Sequence, residues 1–198
     1  RLVLTVDDLR LVFSETFEDS FGAPFLESAD VNGDGLLEIL VFLDIGSTSG
    51  QFALYVIQLQ GDALSFLPVP YFDEYCVGYT VEAFFEDHYK LSVYCPETNY
   101  HSRITLDPGS WLERDYYIDG KLEEDFPFWS DYDAASFYRL IPLGSGVTAL
   151  EIWQTIWGVG HTDTLAFLCT LLCWEDGLPE VVNQMVIPYI NNELFQYS

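Results

Sequence analysis

Short apolar runs punctuated by turn residues make up most of the chain. "RLVLTV" (1–6) and "LRLVFSETF" (9–17) open it. "LLEILVFLDI" (36–45) and "QFALYVIQLQ" (51–60) follow, separated by the turn-forming "GSTSG", and "GD" leads into "ALSFLPVP" (63–70). "YTVEAFF" (79–85), "YKLSVYC" (89–95) and "SRITLD" (102–107) read as a second meander. The last third carries four runs, "SFYRLIPL" (136–143), "TALEIWQTIWG" (148–158), "DTLAFLCTLLCWE" (163–175) and "LPEVVNQMVIP" (178–188), with "GSG", "GVGHT" and "EDG" between them. None sustains an i, i+3, i+4 apolar pattern, and their lengths and bounding turns suit strands. "LAFLCTLLCW" is the run whose composition would also tolerate a helix. Residues 107–134 are acidic, aromatic and loop-rich, and no regular element is assigned there.

The pattern predicts one all-β domain over 1–198, built from antiparallel meander sheets. Four strands in about 50 residues match one blade of a β-propeller, which gives about four or five blades at this length. The N-terminal strands would then complete the last blade. A two-sheet β-sandwich meets the same periodicity.

Composition narrows the partners. Seven Lys and Arg stand against 32 Asp and Glu, a formal net charge of −25. Such a chain repels phosphate backbones and anionic membranes and attracts divalent cations, so nucleic acid is not an expected partner. With 49% apolar residues it is no disordered acidic tail. No apolar run approaches the roughly 18 residues of a transmembrane segment. The chain begins at Arg1, and a trimmed export signal or lipoprotein leader is the expectation. Cys76 and Cys95 flank a hairpin and are candidates to pair. Cys169 and Cys173, four apart on one strand, would lie about 13 Å apart on one face, beyond disulfide reach, and are expected as buried thiols. No C-x-x-C occurs, which disfavours zinc.

One stretch carries recognisable chemistry. "DVNGDGLLE" places Asp30, Asn32, Asp34 and Glu38 at relative positions 1, 3, 5 and 9, with Gly35 at position 6 and the Leu36 carbonyl at position 7. Calcium takes about six to eight oxygens, and alternate side chains of a tight loop can present them to one centre. Gly35 would supply the positive-φ turn. An EF-hand needs Glu at position 12, where this chain has Val41. The same residues also suit a metal-free Asx-rich turn.

"DVNGDGLLEILV", preceded by "FGAP" at 21–24, resembles a single FG-GAP/VCBS-type repeat, over about 20 residues. The resemblance implies an integrin-like β-propeller, a calcium ion held in a strand-connecting loop by Asp30, Asn32, Asp34, the Leu36 carbonyl and Glu38, and a bacterial exported protein. The loop occurs once. "YIDGKLEED" (117–125) and "WEDGLPEVV" (174–182) repeat only its D-G-x-x-E fragment, and the second reads as a hairpin turn.

Catalytic signals are sparse. His161, near Asp163, sits in a loop between strands, His88 suits an exposed turn, and His101 lies near a strand start. G-x-S-x-G and phosphate-cradling glycine loops are absent. Acids and aromatics of 107–134, among them Trp111, Trp129, Tyr116 and Tyr117, would suit a carbohydrate-active hydrolase with paired carboxylates. Trp153, Trp157 and Trp174 are expected in the core. The sequence thus points to a non-catalytic, secreted or cell-surface binding or adhesion protein with a structural calcium and a protein or carbohydrate ligand. The hydrolase is the alternative.

Overall fold

A computed structural model describes residues 3–13, 24–45, 50–70, 76–107, 116–123, 132–144, 146–158 and 163–189. These residues form β-strands in antiparallel sheets and no helix. "LAFLCTLLCW" belongs to the long strand Thr164–Glu175. The described residues contain no helix long and apolar enough to cross a membrane.

Strands β1 (Val3–Val6) and β2 (Leu9–Val12) pair with each other. β3 (Phe25–Ala29), β4 (Glu38–Asp44), β5 (Phe52–Gln60) and β6 (Ala63–Leu67) form a four-stranded meander. β7 (Glu82–Glu86), β8 (Lys90–Cys95) and β9 (Tyr100–Thr105) form a three-stranded one. A minimal hairpin, β10 (Tyr117–Ile118) and β11 (Lys121–Leu122), follows. The chain then builds its longest sheet from β12 (Tyr132–Pro142), β13 (Thr148–Trp157), β14 (Thr164–Glu175) and β15 (Leu178–Pro188).

Side-chain alternation along β13 explains how the sheets meet. Leu150, Ile152, Gln154 and Ile156 share one face, and all four are fully buried. Leu150 and Ile152 join a core with Leu40, Leu54 and Val56 of the β3–β6 sheet. Ile156 joins a second core with Ala83, Leu91 and Val93 of the β7–β9 sheet. One face of the long sheet therefore receives both shorter sheets, each at its own end. β1–β2 does not extend the β12–β15 sheet. Its Leu4 and Leu11 pack with Phe13 on the opposite face of β4 and β5, against Val41, Leu43 and Tyr55.

Gln154 sits where the two cores meet. Its Nε2 donates to the Tyr79 carbonyl at 2.9 Å and its Oε1 accepts from the Tyr79 amide at 2.9 Å. Residues 77–81 link the two shorter sheets, so the bonds fasten that link to the long sheet. The approach is close: a Cβ at Gly78, whose φ is +152°, would stand 2.7 Å from Gln154 Nε2. Only glycine fits there.

Several expectations change in detail. Cys76 and Cys95 form no disulfide with each other, and both are buried. Cys76 is bridged to Ala53 of β5, whereas Cys95 ends β8 with its sulfur 3.7 Å from Gln184 Nε2 of β15. Cys76 thus lies beside β5 and Cys95 beside β15. Cys169 and Cys173 are free as expected, and burial raises both thiols above their ordinary range. Trp174 is in the core and donates to the Pro68 carbonyl at 2.7 Å. Trp153 and Trp157 are only partly buried.

Replacing Gln154 by Ala leaves the buried amide and carbonyl of Tyr79 without these partners and opens a cavity. The expected loss is about 2–4 kcal/mol, read from urea unfolding. Gln154→Leu restores volume without hydrogen bonds and should still lose about 1–3 kcal/mol.

Candidate metal loop

The acidic stretch forms the connection between β3 and β4. It is an irregular, tightly bonded turn in which side-chain oxygens satisfy backbone amides. Asp30 Oδ1 accepts from Gly33 N at 2.6 Å and its Oδ2 from Gly35 N at 3.0 Å. Asn32 Oδ1 accepts from Asp34 N at 2.9 Å, and Asp34 Oδ1 from Leu36 N at 2.7 Å. These are Asx turns in series, and they aim the side chains of positions 1, 3 and 5 inward. Gly33 and Gly35 have φ of +78° and +84°. A Cβ on Gly33 would also stand 2.9 Å from a Val147 methyl.

Glu38, the first residue of β4, closes the loop from below. Its side chain is carried inward and the residue is 1% exposed. Oε2 accepts from Val31 N at 2.9 Å and Oε1 from Asn32 Nδ2 at 3.0 Å. Asn32 Nδ2 also donates to Asp34 Oδ2 at 3.2 Å. The amide of Asn32 therefore stands between the Asp34 and Glu38 carboxylates. Burial raises the Glu38 carboxyl above its ordinary value, and the charges of Asp34 and Asp30 push it further up, against the opposing pull of the Val31 and Asn32 bonds.

This donor set suits a hard cation. Asp30, Asn32, Asp34 and Glu38 bring side-chain oxygens to one loop, and each carboxylate oxygen retains lone pairs beyond the amide it accepts. Turning the Asn32 amide would exchange its NH2 for Oδ1 between the two carboxylates. The Leu36 residue is held at the loop's exposed end through its amide. Among the described residues, no three His, Cys, Asp or Glu side chains already stand grouped closely enough to hold a metal. In this arrangement the amide of Asn32 does the bridging.

The loop is anchored at its back. Val31 is fully buried among core residues, its carbonyl accepts from Trp174 N at 3.0 Å, and the Asp30 carbonyl accepts from Thr148 N at 2.7 Å. The polar stretch is thus pinned to the ends of β13 and β14. A single apolar residue between Asp30 and Asn32 is the trace this anchor leaves in the sequence.

Other sequence candidates are dispersed. His161, Trp111 and Trp129 lie outside the described residues, as does most of 107–134. Asp163 accepts a 3.3 Å bond from the Tyr116 hydroxyl, and its carbonyl accepts from Gly158 N. Tyr116 and Tyr117 are fully buried, not exposed as a sugar platform. His88 occupies an exposed turn with φ of +62°. His101 is exposed on β9, stacked on Tyr94 with centroids 4.2 Å apart. The D-G fragments at Asp119–Gly120 and Asp176–Gly177 are two-residue hairpin turns with both residues at positive φ.

The buried, repelled Glu38 carboxylate weakens the metal-free fold. Taking this group alone, stability falls as pH rises from the ordinary 4.5 to the raised folded value, and levels off above it. Glu38→Gln should remove that slope and raise the metal-free melting temperature at pH 7 above that of wild type, measured by thermal unfolding in EDTA across pH 4–8.

No curated protein and no solved structure matches the chain. A family model does: that of the YybI C-terminal domain matches residues 79–187, from the Tyr79 clasp through β15 and more than half of the chain. The acidic loop lies before the matched stretch and bonds to it at Thr148 and Trp174. The chain belongs to the YybI C-terminal domain family.

Proposed function

We propose that this protein is a non-catalytic binding module of the secreted or cell-surface kind, in which the 30–38 loop holds a structural calcium ion. The carrying observation is the convergence of Asp34 and the buried Glu38 on one amide, with Asp30 and Asn32 oriented by the same Asx turns. Calcium would neutralise a cluster that is otherwise self-repelling. It would be held by Asp30, Asn32, Asp34, the Leu36 carbonyl and Glu38, as the likeness to FG-GAP/VCBS repeats implies. A site of modest affinity fits extracellular calcium levels. The net charge of −25 adds a field that draws cations in.

The packing of both shorter sheets onto one face of β12–β15 supports a sandwich-like arrangement over successive propeller blades. On that reading the loop acts as a rivet between layers, since its carbonyls bond to β13 and β14 while its side chains would hold the ion.

Calcium at 100 times its Kd should add about 2.7 kcal/mol, which for a chain of this size is roughly 5–10 °C in melting temperature relative to EDTA. Asp34→Ala and Glu38→Gln should each abolish the rise. An unchanged melting temperature in wild type across 0.01–10 mM calcium would remove the metal from this reading.

A further inference from the structure

The Asn32–Gly33 bond carries covalent chemistry that metal binding does not use. The backbone nitrogen of Gly33 is the nucleophile next in chain to the Asn32 side-chain carbonyl, and glycine has no side chain to shield it. Attack forms a bond from Gly33 N to Asn32 Cγ and closes a five-membered succinimide. The Cγ–Nδ2 bond breaks, and the proton lost by Gly33 N leaves with Nδ2 as ammonia. Water then opens the ring at either carbonyl, giving aspartate or isoaspartate. Solvent is the only co-reactant. Gly33 is exposed and Asn32 half-buried, so the bond lies within reach of water.

The loop opposes this reaction at each of its atoms. The nucleophile must lose its proton, and that proton binds Gly33 N to Asp30 Oδ1 at 2.6 Å. A carboxylate in that place stabilises the N–H and disfavours a nitrogen anion by like-charge repulsion. The same carboxylate holds Gly35 N through Oδ2 at 3.0 Å, so one side chain grips the backbone twice and keeps Gly33 from turning onto Cγ. The leaving group is held as well, since Asn32 Nδ2 donates to Asp34 Oδ2 at 3.2 Å and Glu38 Oε1 at 3.0 Å. A tetrahedral Cγ would disturb both bonds and place an oxyanion among three carboxylates. The bond from Asp34 N to Asn32 Oδ1, at 2.9 Å, works the other way, but it is one neutral donor against that charge.

We propose that Asn32–Gly33 is a latent deamidation site guarded by Asp30: the closed loop suppresses succinimide formation, and opening the loop releases it. Conversion is irreversible and remodels the loop. It removes the Nδ2 donor from between Asp34 and Glu38, puts a further carboxylate in its place, and in the isoaspartate product lengthens the main chain by a methylene. The site thereby turns a transient opening of the loop into a permanent covalent change. This goes beyond the calcium reading and does not rest on it, because every bond invoked belongs to the metal-free loop.

The full chain is incubated in EDTA at mildly alkaline pH, below its melting temperature, and aspartate and isoaspartate at position 32 are followed by peptide mapping with mass spectrometry. A synthetic peptide of residues 27–37 gives the unguarded rate. Asp176→Asn places a second Asn-Gly in the β14–β15 turn, away from Asp30, and reports any general loosening of the fold. Asn32 should convert at least about tenfold more slowly in the folded chain than in the peptide, the rate equivalent of one charge-assisted hydrogen bond. Asp30→Asn, a near-isosteric change, should speed conversion at position 32 several-fold and leave the rate at position 176 unchanged when the two substitutions are combined. Equal rates in chain and peptide would overturn the proposal. So would an Asp30→Asn variant that converts no faster than wild type, or one that accelerates both positions alike. The calcium response is read separately, from the melting temperature of fresh chain, so either result can fail without the other.

Discussion

The buried side-chain amide of Gln154 clasps both the amide and the carbonyl of Tyr79. An unsatisfied peptide group there is expensive, so the clasp fixes the one place where the link between the two shorter sheets can cross the long sheet. Everything on either side follows. Upstream of the link lies the β3–β6 sheet with its acidic loop. Downstream lies the β7–β9 sheet. Each covers a separate half of the face to which Gln154 belongs. Apolar residues at this position would pack, but they would not dictate which backbone segment arrives, and a polar pair of fixed geometry does. Gly78 is the necessary companion, because any side chain there would occupy the space of the amide.

A similar polar seam runs between β9 and β15. Thr98 Oγ1 bonds Gln184 Oε1 at 2.6 Å, and Gln184 Nε2 bonds Thr170 Oγ1 at 3.0 Å. The Tyr100 hydroxyl accepts from Val186 N at 3.1 Å. Buried Cys95 lies beside this chain of bonds, its thiol raised by burial and held as a neutral partner to Glu97. Sheets that pack through apolar side chains alone can slide. These directional contacts set their offset.

Most strands were legible because their apolar runs are long and end in Gly, Asp or Asn. The Asp176–Gly177 turn and the β14–β15 pairing it produces are examples. Strand β3 was not, because "FLESA" is an edge strand with a half-polar, mostly exposed surface, and a period of two needs buried residues to show itself. β10 and β11 are too short to be legible: two residues each leave no period to read. The loop at 30–38 announced its ligand types and its turns, since Asx side chains and glycines act locally. Its anchor leaves only the apolar Val31 as a trace, and the partners Thr148 and Trp174 are not legible, because backbone carbonyls carry no residue identity. Which sheet covers which was equally hidden. Gln154 looks like one polar residue in a strand, and only its partner 75 positions away gives it meaning.

The covering of β12–β15 from two directions bears on where this domain can be cut. The family-matched stretch begins at Tyr79 and contains the long sheet and the β7–β9 sheet, but not β3–β6. A polypeptide that began there would keep Ile156 and Leu168 under cover and lay bare Leu150, Ile152, Leu172 and Trp174. It would also leave Thr148 N and Trp174 N without the carbonyls they now meet. The boundary that a sequence comparison draws is thus not a folding boundary in this chain. The smallest unit that keeps this face covered includes the strands upstream of residue 79, and a shorter one would present an apolar half-face to its own copies.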